Sequence, residues 1–210
     1  MRISLIGMAG AGKTYWSIKL AQQGFRRFCC DDLIAAKLAP DLKRPDRSTM
    51  GMGEWMGFPY ERDYKRRESQ YLNCEIEVLH EILEHLERTK NATGENIVVD
   101  TTGSVVYAGE DILGKLPRYT TVVYLPVPSE VREGLLKAYI SKPHPMLWRD
   151  AFSKAPGETN EKSLARGYPR LLSSRERLYA RYADVKIEYY RRHEESFGVR
   201  DFLNAIETNS

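Results

Sequence analysis

The sequence predicts an α/β fold in which helices cover both faces of a parallel sheet. Three observations point there. Short apolar runs recur along the chain, each followed by a helical pattern. A glycine-rich loop separates the first of these runs from the first helix. The 210 residues are 42% hydrophobic and 29% charged, which suits a globular chain long enough to bury a core as one domain, residues 1–210. Strands covered on both faces read as continuous apolar runs, and these do.

Arg2-Ile3-Ser4-Leu5-Ile6 is the first expected strand. A helix follows over 13–23, ending near Gly24. Residues 25–30 form a second strand and 32–38 a helix. Asn96-Ile97-Val98-Val99-Asp100 is a third strand, residues 120–125 a fourth and 184–189 a fifth. The longest helix is expected over 62–89. Leu72, Ile76, Leu79, Leu83 and Leu86 form its buried stripe, and Asn91 and Gly94 stop it. Two stretches rich in proline and glycine, 40–60 and 141–170, read as long functional loops. The second is the expected lid, and 153–163 reads equally well as a surface insertion. The substrate side is expected over about 32–70.

Composition removes several functions. No apolar run approaches the roughly 20 residues that span a bilayer, and the opening residues lack the pattern of a secretory signal. With 32 basic and 29 acidic residues the net charge is +3, weak support for a nucleic-acid partner. Cys29, Cys30 and Cys74 have neither disulfide-framework nor metal-pair spacing, so reduced thiols in a cytoplasmic protein are expected.

The strongest signal is Gly7-Met8-Ala9-Gly10-Ala11-Gly12-Lys13-Thr14, which fits G-x-x-x-x-G-K-[ST] at every fixed position. Its glycines let backbone wrap closely around phosphate oxygens. Successive N–H groups and a helix N-terminus complete an anion site. Gly7, Gly10, Ala11, Gly12, Lys13, Thr14 and Tyr15 are therefore the candidate contacts for ATP or GTP. Lys13 reaches the β- and γ-phosphates, and the Thr14 hydroxyl is a candidate Mg²⁺ ligand.

Asp31 and Asp32 follow the second strand, on the side of a parallel sheet where ligands bind. Asp31 reads as a helix cap. Asp32 reads as the functional carboxylate, orienting Mg²⁺ or taking a hydroxyl proton. Asp100 ends the third strand and is the second acidic candidate for Mg²⁺, with Gly103 just beyond as a point of close ligand approach. Lys65-Arg66-Arg67, and Lys142, His144 and Arg149 with Arg166, Arg170, Arg175 and Arg177 behind them, supply cations. A mobile segment carrying a cation can close over the γ-phosphate and exclude water.

Taken together, these residues resemble the shikimate kinases and the wider group of P-loop small-molecule kinases related to nucleoside-monophosphate kinases. The resemblance runs to about residue 190. It rests on the strand and loop from Ile3 to Thr14, Asp32, Tyr64-Lys65-Arg66-Arg67-Glu68, Val123-Tyr124-Leu125, Lys142-Pro143-His144-Pro145-Met146-Leu147, and Arg175 with Leu178-Tyr179 and Ala183-Asp184-Val185. It implies a three-layer P-loop sandwich with a five-stranded parallel sheet of order 2-3-1-4-5, a lid insertion, and Mg-ATP-dependent phosphorylation of a small alcohol. It further implies that Asp32 contacts the acceptor hydroxyls and that Arg175 contacts an acceptor carboxylate. This chain has Lys65 where that family has an arginine, Thr102-Gly103-Ser104 where it has three glycines, and His144 where its lid carries an arginine.

The expected function is therefore a kinase acting on a small, anionic metabolite, shikimate-like or otherwise. Lys13, Asp32 and Arg175 are its candidate catalytic residues. Asp32, Lys65, Gly103 and Arg175 are the candidate acceptor contacts, and Thr14, Asp32 and Asp100 the candidate metal ligands. Two other readings keep the nucleotide site. One is a regulatory or interaction module whose lid binds a protein partner. The other is a nucleotide or polynucleotide kinase using the basic residues of 162–192.

Overall fold

The computed structural model describes residues 1–90 and 94–208. In chain order the elements are β1 (Arg2–Ile6), α1 (Lys13–Ala21), β2 (Arg26–Cys29), α2 (Cys30–Lys37), α3 (Met52–Met56), α4 (Tyr64–Arg88) and β3 (Ile97–Asp100). These are followed by α5 (Glu110–Leu113), α6 (Leu116–Tyr119), β4 (Thr121–Tyr124), α7 (Arg132–Ser141), α8 (Asn160–Tyr182), β5 (Val185–Lys186) and α9 (Val199–Glu207). The five strands form one parallel sheet in the order β2-β3-β1-β4-β5, as expected. Pairing of Leu5 with Asp100 and of Ile6 with Tyr124 brings the carboxyl ends of the central strands level.

Alternation along the strands builds two cores. Ile97, Val99, Val122 and Tyr124 face a layer containing Ile34, Leu79, Leu83 and Leu172. Val98, Val123 and Leu125 face the other layer, with Trp16, Leu20 and Phe202. There α1 and α9 meet through stacked Trp16 and Phe202 rings 4.5 Å apart. Helices thus cover both sheet faces, and among the described residues none is long and apolar enough to cross a membrane.

Three expectations are corrected. The buried face of α4 runs through Tyr71, Glu75, Val78, Leu79, Ile82, Leu83 and Leu86, leaving Leu72 and Ile76 half-buried. Its upper half meets polar loop atoms rather than the apolar sheet, so the leucine count misplaces the stripe. β5 is only two residues long, because it is an edge strand paired to β4 alone. Residues 160–170 are helical, the first half of α8, despite Gly167 and Pro169. Thr159 caps that helix by accepting from the Lys162 amide. Gly167 is needed there, since a Cβ would stand 2.7 Å from the Ala151 carbonyl oxygen. Lastly, α4 ends at Arg88; Asn91, one of its expected stops, lies outside the described residues.

Candidate active site

The loop between β1 and α1 has the backbone that its glycines were expected to permit. Gly7, Gly10 and Gly12 all have positive φ, at 144°, 81° and 89°. The Lys13 ammonium folds back and donates to the carbonyls of Gly7 and Met8 at 2.9 and 3.0 Å. Burial lowers its pKa, while the charges of Asp31 and Asp100 oppose that shift.

A cavity of about 490 Å³ opens from this loop. Gly10, Gly12, Lys13, Thr14 and Tyr15 line one end, and Asp31, Tyr71, Thr102, Gly103, His144 and Tyr168 line the rest. Leu135 and Ala138 of α7 contribute to its wall. On the other flank of the loop lies a second groove of about 440 Å³, lined by Ala11, Gly12, Tyr15, Trp16, Arg192, His193 and Phe197 among others. Arg192 crosses its base, donating to the Ile187 carbonyl at 2.8 Å.

The structure places the two aspartates differently. Cys30 and Ile34 are the buried positions of α2, and Asp31, three residues before Ile34, is on that side of the helix but exposed. Asp31 reaches the cavity, where the Tyr71 hydroxyl donates to it at 3.3 Å. Desolvation raises its carboxyl pKa despite the nearby Lys13 charge. Asp32 turns outward with a side chain 79% exposed, 4.0 Å from Arg27. It lines neither the cavity nor the groove.

Asp100 is buried at the end of β3. Its Oδ2 accepts from Arg27 at 2.7 Å and from Ser17 at 2.8 Å, which ties β3 to the first turns of α1. Its Oδ1 is buried without a hydrogen-bond partner. A carboxyl oxygen left unpaired at this depth has the chemistry of a cation ligand. With the exposed Thr14 hydroxyl, it fits the sparse protein ligation that Mg²⁺ needs beside phosphates.

Lys65 and Arg175 hold a strap instead of lining the cavity. The strap is residues 143–149. The Lys65 ammonium donates to the Arg149 carbonyl at 3.0 Å. Arg175 is buried and donates to the Leu147 carbonyl at 2.7 Å and to the Tyr107 hydroxyl at 3.3 Å. The Tyr64 hydroxyl accepts from the Trp148 amide at 2.8 Å, and Glu68 accepts from the Arg149 amide at 2.8 Å. The strap thereby presents His144 and Pro145 to the cavity. Burial, reinforced by the Arg175 and Lys13 charges, pushes the His144 pKa down to about 4, so its imidazole is neutral.

Thr102 and Ser104 have a partner that sequence reasoning missed. Both hydroxyls donate to Glu75, which is fully buried on α4 beneath the cavity wall. A signal was present: Tyr64, Glu68, Tyr71 and Glu75 continue the inward face of α4 at helical spacing, as polar residues on an apolar stripe.

The sequence matches no protein-family model and no curated protein. Solved structures do match. Shikimate kinase from Acinetobacter baumannii, solved with shikimate, is 22% identical over 99% of this chain and 89% of its own, with a TM-score of 0.60. Shikimate kinase from Aquifex aeolicus is 21% identical over 100% and 98%, with a TM-score of 0.59. That from Bacteroides thetaiotaomicron is 20% identical over 99% and 95%, with a TM-score of 0.58. The chain has the shikimate kinase fold. In that fold the phosphate loop opens the first helix as expected, and Thr102 and His144 line the cavity.

Proposed function

We propose that this chain is a Mg-ATP-dependent kinase that transfers the γ-phosphoryl group to a hydroxyl of a small metabolite. One observation carries the reading: the cavity joins the phosphate loop to the Asp31 carboxylate in a single enclosure. Donor and acceptor held in one pocket make the reaction effectively unimolecular.

In this reading the loop amides and Lys13 hold the β- and γ-phosphates, and the groove beside Arg192 seats the base. Thr14 and Asp100 would hold Mg²⁺, which neutralises phosphate charge when bound. Asp31, in place of Asp32, accepts the hydroxyl proton as the acceptor oxygen bonds to phosphorus and the β–γ bridge oxygen leaves with ADP. A raised carboxyl pKa suits that role, because it makes Asp31 a stronger base. The strap excludes water from the pocket. A single domain over 1–210, a lid within 141–170 and a cytoplasmic location belong to the same proposal.

The test is ADP release from Mg-ATP across a panel of small alcohols, with Lys13→Ala as the control. Acceptor-dependent release in the wild type, lost in a variant whose circular dichroism is unchanged, supports the assignment. Mg-ATP binding without release on any alcohol defeats it and favours the regulatory module.

A further inference from the structure

We propose that the acceptor is an uncharged polyol of sugar or cyclitol size rather than a carboxylate. This inference rests on the kinase reading above and refines its substrate class. The two cations that the family resemblance would assign to an acceptor carboxylate are engaged elsewhere. Arg175 is buried and spends two of its nitrogens on the Leu147 carbonyl and the Tyr107 hydroxyl. Lys65 is bound to the Arg149 carbonyl and lies beside Glu68. Neither lines the cavity, and among the described residues that do, Lys13 is the one full cation and belongs to the phosphates.

The protein also supplies carboxylates of its own. Asp31 stands at the acceptor end. Glu75 lies just behind, held by Thr102 and Ser104 and within the field of Arg175. Arg175 therefore already lies beside an acidic group of the protein's own. A bound carboxylate would enter a partly desolvated pocket facing Asp31, and with Arg175 Nη2 taken by the Leu147 carbonyl only Nη1, beside Gly103, is left, so no two-pronged fork repays its lost hydration.

What the pocket does present suits hydroxyl groups. Asp31 accepts hydrogen bonds. The Tyr168 hydroxyl can donate and accept, and the Tyr71 oxygen, whose proton goes to Asp31, can still accept. His144, the residue in place of a lid arginine, is a neutral imidazole whose Nε2 is buried without a partner. The tyrosine rings add apolar faces for the C–H side of a sugar ring.

The test uses pairs of acceptors that differ in charge: shikimate methyl ester against shikimate, ribose against ribonate, and glycerol against glycerate. Each is assayed by ADP release with Mg-ATP. We expect kcat/KM at least about tenfold higher for the uncharged member of every pair that reacts. His144→Arg should narrow the gap by raising carboxylate turnover; if that variant does not fold, the wild-type pairs decide alone. Equal or faster turnover of the carboxylates overturns the inference while leaving the kinase reading intact. So does preferential turnover of an amino alcohol such as glucosamine. Mg-ATP binding with transfer to none of these compounds overturns the kinase reading, and this inference with it.

Discussion

Replacing Glu75 by glutamine keeps the side chain's shape and removes its charge. Glu75 is fully buried, and desolvation raises its pKa from 4.5 to about 7, against the hydrogen bonds from Thr102 and Ser104 and the charge of Arg175. The sign follows from proton counting. Between pH 4.5 and about 7 the native state holds this proton while the unfolded chain has released it. The native state then binds more protons, so stability falls as pH rises. Below that window both states are protonated. Above it both are ionised, and the folded protein bears the full cost of a buried charge. A gap of about 2.5 pH units, at about 1.4 kcal/mol each, corresponds to about 3 kcal/mol. Glutamine has no proton to lose, and groups that do not sense the Glu75 charge titrate alike in the two proteins. Urea unfolding from pH 4.5 to 8, followed by circular dichroism, should show the wild type losing about 3 kcal/mol relative to Glu75→Gln across the window. A flat difference would refute the reasoning. A difference that rises with pH would show that Arg175 and the two hydroxyls outweigh desolvation.

The aspartate pair separates cleanly by mutation. Asp31→Asn should abolish phosphoryl transfer while leaving ATP binding in place, and Asp32→Asn, at a position 79% exposed, should change kcat little; steady-state kinetics with equilibrium binding checks both. Tyr64→Phe removes the hydroxyl that serves the Trp148 amide, the Met146 carbonyl and Glu68. It should cost about 1–3 kcal/mol in urea unfolding, and an unchanged midpoint would show that the strap does not depend on it. Gly53→Ala would put a Cβ 1.9 Å from the Pro143 carbonyl oxygen and 2.8 Å from the His144 Cα. Both are backbone atoms, so the strap must move, at about 1–3 kcal/mol, and the acceptor KM should rise while ATP affinity holds.

The strap also accounts for two features of the sequence that look unrelated. Long polar side chains on the inward face of α4 would be costly beneath an apolar layer. Tyr64 and Glu68 instead meet the backbone amides of Trp148 and Arg149, segment ends that no regular element satisfies. Most buried polar groups have a partner, and the partners here lie about 80 residues away in the chain.

The phosphate loop, the five strands and the first helix were legible in the sequence because their requirements are local, whereas the strand order followed from the family resemblance. Positive φ at Gly10 and Gly12 needs glycine, and a strand buried on both faces needs an apolar run. The choice between Asp31 and Asp32 was not legible as read, because one residue turns a helical side chain by about 100°. Only the burial of Cys30 and Ile34 shows which carboxylate faces the cavity. α8 was hidden for a related reason. Gly167 and Pro169 argue against a helix locally, and packing against Ala151 and Trp148 overrides them. The cations marked the limit of sequence reading. Lys65 and Arg175 were visible as charges, but a charge does not announce its partner. Tertiary structure gave them the carbonyls of Arg149 and Leu147, partners far along the chain that no local pattern of charge marks.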